Sequence, residues 1–184
     1  LTLRLAEPGE GPRFMLPEEL REKLLPWAEE EDFCVLLKRS GRLTAGEIGI
    51  RIGVNWVPKE IYEQFMYEVF GTSSYARYKI KVLYSPHSGE WNVTSKSMDG
   101  SNIKAITTYG TERINAYHIF EQTLNQKDVR IFDTKIDANG NEVRVLNKKE
   151  TAIAQDRQEL IKAKFAEWIW KDIDRREQLC GIYN

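Results

Sequence analysis

Apolar residues return every four positions in IYEQFMYEVF, where Ile61, Phe65 and Val69 share one line and Tyr62 and Met66 lie beside it. That period predicts a helix opening at Pro58. Just upstream, Thr44 and Glu47 have the spacing of a capping box, in which a hydroxyl and a carboxylate reciprocally satisfy two helix-end amides. The expectation there is a short helix with Ile48 and Ile52 inward, ended by Gly53. From Tyr75 the period shortens to two: Tyr78, Ile80, Val82 and Tyr84 alternate with Arg77, Lys79, Lys81 and Leu83, the pattern of a half-buried strand. SPHSG then supplies turn residues, and Glu90 to Thr94, with Trp91 and Val93 on one face, completes a β-hairpin. Asn102 to Thr108 is expected to add a third strand.

Further on, a helix is predicted from Thr111 to Leu124. Val129–Ile136 and Glu142–Leu146 flank DANGN, whose Asn139-Gly140 pair signals a second hairpin. Asn147 caps a long final helix, with Glu150 in its first turn. Its apolar face is expected to hold Ile153, Leu160, Ile161, Phe165, Trp168 and Ile169, with Glu167 and Lys171 paired across one turn. The fold class is therefore α+β: a small antiparallel sheet of hairpins, packed by three or four helices and ending in a long amphipathic one. Residues 1–42 read as an acidic N-terminal arm and helix, and 43–184 as the α+β domain. In the arm, Leu1 to Leu16 carry Pro8, Gly9, Gly11 and Pro12, a flexible opening. A helix is expected from Pro17 with Leu20, Leu24 and Ala28 on one face, extending through Phe33 to Leu37.

Charge refines this picture only locally. The net is −1, but Leu1 to Asp32 carry nine acidic residues against four basic, leaving 19 acidic and 23 basic in the remainder. A mildly basic body is compatible with DNA without demanding it. Cys34 and Cys180 lie far apart with no metal-ligand spacing, which fits two reduced thiols in a cytoplasmic protein. No apolar run approaches the about 20 residues a membrane helix requires. The first residue, Leu1, suggests a piece of a longer polypeptide.

Little of the chain carries recognisable chemistry. His87 in a Pro–Gly turn and His118 inside a helix lack companions for a metal or a catalytic relay. Asp133 and Lys135 have the D-x-K spacing of metal-dependent nuclease strands, though such sites need a further acid; the alternative is an exposed strand alternation. DANGN has its glycine at the wrong position for a calcium loop and reads as a turn. LTAGEIGIRIGV could open a helix-turn-helix, but its connection is long and the following helix exposes Glu60, Glu63 and Glu68, which phosphates repel. The best working surface is cationic and aromatic. Arg77, Lys79 and Lys81 share a strand face, Tyr109, Arg113 and Asn115 lie at a strand-to-helix junction, and Lys148 and Lys149 open a helix where cations are locally unfavourable. These eight are the candidate DNA contacts. Trp168, Ile169, Trp170 and Ile173 cannot all face one side of a helix, so some of them are expected in an interdomain interface.

Four blocks, IRIGVNWVPKEIYEQFMYE, YSPHSGEWNV, YGTERINAY with TLN, and LNKKETAIAQDRQELIKAKFAEWIWKDIDRREQL, extend the reading. In order and spacing they resemble the region ahead of the helicase core in large mobile-element and phage proteins. Those proteins fuse an adenine-specific DNA methyltransferase to a Swi/Snf-type superfamily-II helicase, in an antirestriction-like setting. The resemblance runs from Leu43 to Asn184. It implies an intervening, non-catalytic domain that contacts DNA and the flanking helicase and methyltransferase domains, with no cofactor of its own. Consistent with that, the chain has neither a GxxxxGK[ST] phosphate loop nor an Asn-Pro-Pro-Tyr adenine motif, and GEIGIRIG lacks dinucleotide-turn spacing. The competing expectation is a purely architectural spacer that contacts only its neighbours.

Overall fold

The computed structural model describes residues Leu43–Asn184. The opening through Leu16, the helix expected from Pro17 to Leu37 and Cys34 lie outside the described residues. The described chain falls into two compact units, one formed by Leu43–Gly49 with Cys180–Asn184 and the other by Ile50–Leu179. In the first, the Asn184 side chain closes on the backbone of Leu43, accepting from its N–H at 2.7 Å and donating to its carbonyl at 3.1 Å. Thr44 and Glu47 do meet, but the Thr44 amide and hydroxyl both donate to the Glu47 carboxylate. The segment they open makes one turn, not a helix. The helix-turn-helix reading therefore loses its first helix.

The larger unit is α+β. Its first helix, α1 (Lys59–Val69), starts at Pro58 as its spacing predicts and buries Ile61, Tyr62, Phe65 and Met66. Phe65 sits at the centre of an aromatic cluster, its ring 5.2–5.9 Å from those of Phe70, Phe120, Phe165 and Trp168. Strands β1 (Val82–Ser85) and β2 (Glu90–Val93) pair antiparallel, with Val82 opposite Val93 and Tyr84 opposite Trp91. Side chains from the helices satisfy both edges of this hairpin. Glu63 accepts the Val82 amide, Glu121 accepts that of Val93, and Asn125 pairs with both the N–H and the carbonyl of Trp91.

Two sequence-based strands are helical turns instead. Between Ser73 and Ile80 the Ser73 carbonyl accepts from Ala76 and Arg77, and the Ala76 carbonyl from Lys79 and Ile80. Ala76 and Ile80 are fully buried, while Tyr75 and Tyr78 are 51% and 64% exposed. The burial period here is four, and the alternation of aromatics and cations hid it. Arg77, Lys79 and Lys81 thus do not share a strand face, since β1 begins only at Val82. Similarly, Lys104–Thr108 forms a π-helical turn. It comes after Asn102, whose side chain accepts from Ala105 and donates to the Phe70 carbonyl, so the segment curls back instead of extending.

Helix α2 (Ala116–Leu124) begins five residues later than expected. Thr111 folds 111–114 into a turn by accepting the amides of Arg113 and Ile114 on its hydroxyl, and Asn115 provides the cap. Strands β3 (Phe132–Ile136) and β4 (Glu142–Leu146) form the second hairpin. Its turn is tied by Asp137, which accepts the amides of Asn139 and Asn141. Residues 129–131, expected as strand, run instead with Lys127 beside α3 (Lys148–Ile169), whose Thr151, Gln155 and Gln158 pair with their backbone.

That pairing explains why the buried stripe of α3 is Thr151, Ala154, Gln158, Ile161, Phe165 and Ile169. Ile153 is 36% exposed and Leu160 only half-buried. The final helix is also broken. Buried Arg175 donates to the carbonyls of Trp168 and Ile169 and lies 3.5 Å from the Trp168 ring centroid, while Asp172 accepts the Arg175 amide and opens α4 (Ile173–Tyr183). A guanidinium on the last carbonyls complements the negative end of α3. Glu167 accordingly pairs with Lys164 at 2.8 Å, not with Lys171, which lies past the helix end.

Candidate functional site

The turn from Ser73 to Ile80 concentrates the cations. Its shape is held from beneath by α1: the Tyr67 hydroxyl, hydrogen-bonded to the carbonyls of Arg77 and Ile80 at 2.9 and 2.6 Å, clamps the turn at two points. The Arg77 guanidinium and the Lys81 ammonium lie 5.5 and 5.4 Å from the Tyr67 ring centroid, and Lys79 lies 5.6 Å from that of Tyr78. Cation–aromatic contact of this kind orders a long side chain without neutralising it. Arg77 Nε donates to the Thr72 carbonyl at 2.9 Å, which aims the guanidinium. Lys81 also meets Glu63 at 3.5 Å. The Tyr67 hydroxyl, working against burial, and then Glu63 hold the Lys81 pKa above its ordinary value. Among the described residues, neither Arg77 nor Lys79 faces a carboxylate within ion-pair distance.

A buried carboxylate anchors the start of this turn. Asp99 is 2% exposed, and its oxygens accept from the Ser73 hydroxyl at 2.5 Å, from Asn102 at 2.7 Å and from the Tyr117 hydroxyl at 2.8 Å. Thr72 lies 2.9 Å from the same tyrosine hydroxyl. Burial by itself raises the Asp99 pKa, but the donors from Ser73, Asn102 and Tyr117 outweigh it and hold the carboxyl below its ordinary value. Burial, reinforced by the adjacent Asp99, pushes the Tyr117 phenol up.

A carboxyl with a depressed folded pKa contributes stability that is complete above its ordinary value of 3.8 and is lost as pH falls toward the folded one. Asp99→Ala strands three buried donors, so urea unfolding at pH 7 should lose about 1–3 kcal/mol. The difference from wild type should shrink below pH 4, and a constant difference across pH would exclude the carboxylate as its source.

Three of the other expected contact residues have structural duties. Tyr109 is half-buried against Phe70, its ring 5.4 Å away. Arg113 is bound to Asp133 at 2.8 Å and to the Phe132 carbonyl at 3.1 Å, locking the base of the second hairpin. Asn115 caps α2 and donates to the Lys96 carbonyl. Lys148 and Lys149 are exposed at the start of α3, with no ion-pair partner among the described residues. The set thus separates into the turn cations, the helix-start lysines and three residues that hold the fold. Of the expected docking residues, Ile169 is 1% exposed and belongs to the core. Trp168 is occupied by Arg175, Phe65 and Glu68, Trp170 is half-buried, and Ile173 is exposed.

Arg113, and then Asn147, hold the Asp133 carboxyl below its ordinary pKa. No group of three or more His, Cys, Asp or Glu side chains among the described residues could hold a metal ion. His118 is in the first turn of α2, not mid-helix, beside the Asn115 cap; burial and then Lys96 lower its pKa. No helix among the described residues is long and apolar enough to cross a membrane. Sequence reasoning missed Tyr67 and Asp99, whose roles depend on partners 10 to 26 positions away.

Fold and site together define an α+β domain presenting a braced cationic turn. A family model described as a domain of unknown function, DUF8437, matches residues 51–184, and the chain belongs to that family. No curated protein and no solved structure matches the chain.

Proposed function

We propose that this is a non-catalytic accessory domain that grips the nucleic-acid backbone, within a cytoplasmic DNA-modifying protein whose helicase and methyltransferase engines lie in flanking domains. The observation that carries it is the Ser73–Ile80 turn. Two cations, Arg77 and Lys79, are presented with unneutralised charge from one short segment whose backbone is clamped by Tyr67 and anchored by Asp99, and Lys81, paired with Glu63, follows directly. A rigid display lowers the ordering cost of meeting phosphates, and phosphate contacts carry affinity without sequence preference. The resemblance to helicase–methyltransferase fusions supports the same reading. Lys148 and Lys149 give a second, weaker contact at a helix start.

The test is gel shift of the full chain on duplex DNA across a salt series. Log K should fall linearly with log salt, by about 0.9 per phosphate neutralised. Arg77→Glu with Lys79→Glu should weaken binding to all sequences alike and flatten that slope by about 2. Arg113→Ala should lower stability but leave the slope alone. Absence of binding at low salt removes the proposal and leaves the architectural spacer.

A further inference from the structure

We infer that the groove beside the first hairpin receives a single unpaired nucleobase, an assignment that rests on the nucleic-acid reading above and deepens it. The cavity measures about 360 Å³. That is within the about 300–1,000 Å³ of small-ligand sites. It is walled by Trp56, Tyr84 and Trp91 and by the amides of Asn55, Asn125 and Gln126, and none of the described residues that line it carries a side chain charged at neutral pH. A charged ligand would find no counter-charge among the described residues that line the cavity.

The walls are built rather than incidental. Trp91 is fixed by donating its indole N–H to the Gly53 carbonyl at 3.0 Å and by edge-on contact with Tyr62 at 5.0 Å. Tyr84, half-buried, packs 4.6 Å from Trp91. Gln126 holds φ at 56°, a conformation side-chain-bearing residues rarely adopt. Such local strain persists where the surroundings over-determine it. Its amide nitrogen is spent on the Ile52 and Thr123 carbonyls, so its carbonyl oxygen is fixed in direction and has no partner among the described residues. The Asn55 amide likewise has no partner among the described residues.

Trp91 is 5% exposed and backs the groove, which thus offers the exposed part of the Tyr84 ring, one oriented acceptor and one amide with both donor and acceptor character. A nucleobase meets all three, with a π-face to stack and an edge that both donates and accepts. An all-carbon ring would cover the two amides and leave them unpaired.

The experiment compares the full chain on two single-stranded 12-mers, one intact with a central 2-aminopurine and one abasic throughout. Stacking should quench the 2-aminopurine emission, and the intact strand should bind about tenfold more tightly, the worth of one stacked base. Asn55→Ala and Tyr84→Leu should each bring the intact strand toward the abasic affinity while leaving abasic binding and the melting curve unchanged. Equal affinity for the two strands, or quenching that survives both variants, overturns the groove assignment and leaves the backbone reading standing. Failure of both strands to bind at low salt overturns both. If Tyr84→Leu alters the melt, Asn55→Ala, at an exposed position, decides the matter alone.

Discussion

Phe65→Ala should lower the unfolding free energy by about 3–5 kcal/mol, the range for removing a buried aromatic ring. Phe65 is completely buried and lies at the meeting point of α1, α2 and α3, within 6 Å of the rings of Phe70, Phe120, Phe165 and Trp168. Those neighbours belong to separate elements held by their own contacts, so they cannot collapse into the space. The residual cavity therefore adds to the lost transfer free energy. With a typical domain stability of about 5–15 kcal/mol, this one change leaves a marginal protein. Urea titration followed by tryptophan emission measures it. Phe65→Leu, which keeps most of the volume, should cost less than half as much; a negligible loss in both variants would place Phe65 outside the cooperative core.

Gly53→Ala is the second large effect, and it acts through backbone. Gly53 has φ +89°, and an added methyl carbon would stand 2.1 Å from the Leu124 carbonyl oxygen. The conformation itself costs a side-chain-bearing residue about 1–2 kcal/mol. The collision adds about 1–3 kcal/mol more, since a main-chain atom at the end of α2 must move. Gly89 separates the two contributions: its φ is +68°, but nothing lies within 4 Å of an added methyl. Gly89→Ala should thus show only the conformational part in a thermal melt. If the two variants melt together, the close approach of Gly53 to Leu124 is not a constraint in solution. The same approach sets one wall of the groove proposed to receive a nucleobase, so Gly53→Ala should also weaken quenching of 2-aminopurine at temperatures where the variant remains folded.

The proposed contact surface is only partly legible in the sequence. Arg77, Lys79 and Lys81 stand out in the chain as cations among aromatics, but their alternation points to a strand face. The turn that Arg77 and Lys79 occupy, just ahead of Lys81, is decided by Ala76 and Ile80, which find a buried site four residues apart, and by Asp99, which anchors Ser73 from 26 positions away. Arg113 and Asn115 carry the same local marks as Arg77. They differ only in having Asp133 and the Lys96 carbonyl within reach, a matter of which loops the fold brings together.

Local chemistry by itself determined α1 through its four-residue apolar period, the Asn147 cap through its side-chain acceptor, and both hairpins through Pro-His-Ser-Gly and Asn-Gly turns. These signals need only neighbours a few positions away, and short-range sterics and hydrogen bonding are complete within such windows. The break between α3 and α4, the polar stripe of Thr151 and Gln158, and the helical turn bearing the cations were decided only in three dimensions. Each depends on a buried polar group finding its partner across the fold: Arg175 on the ends of α3, Gln158 on the 127–131 backbone, Asp99 on Ser73 and Tyr117. Leaving such groups unpaired costs more than the local preference they override.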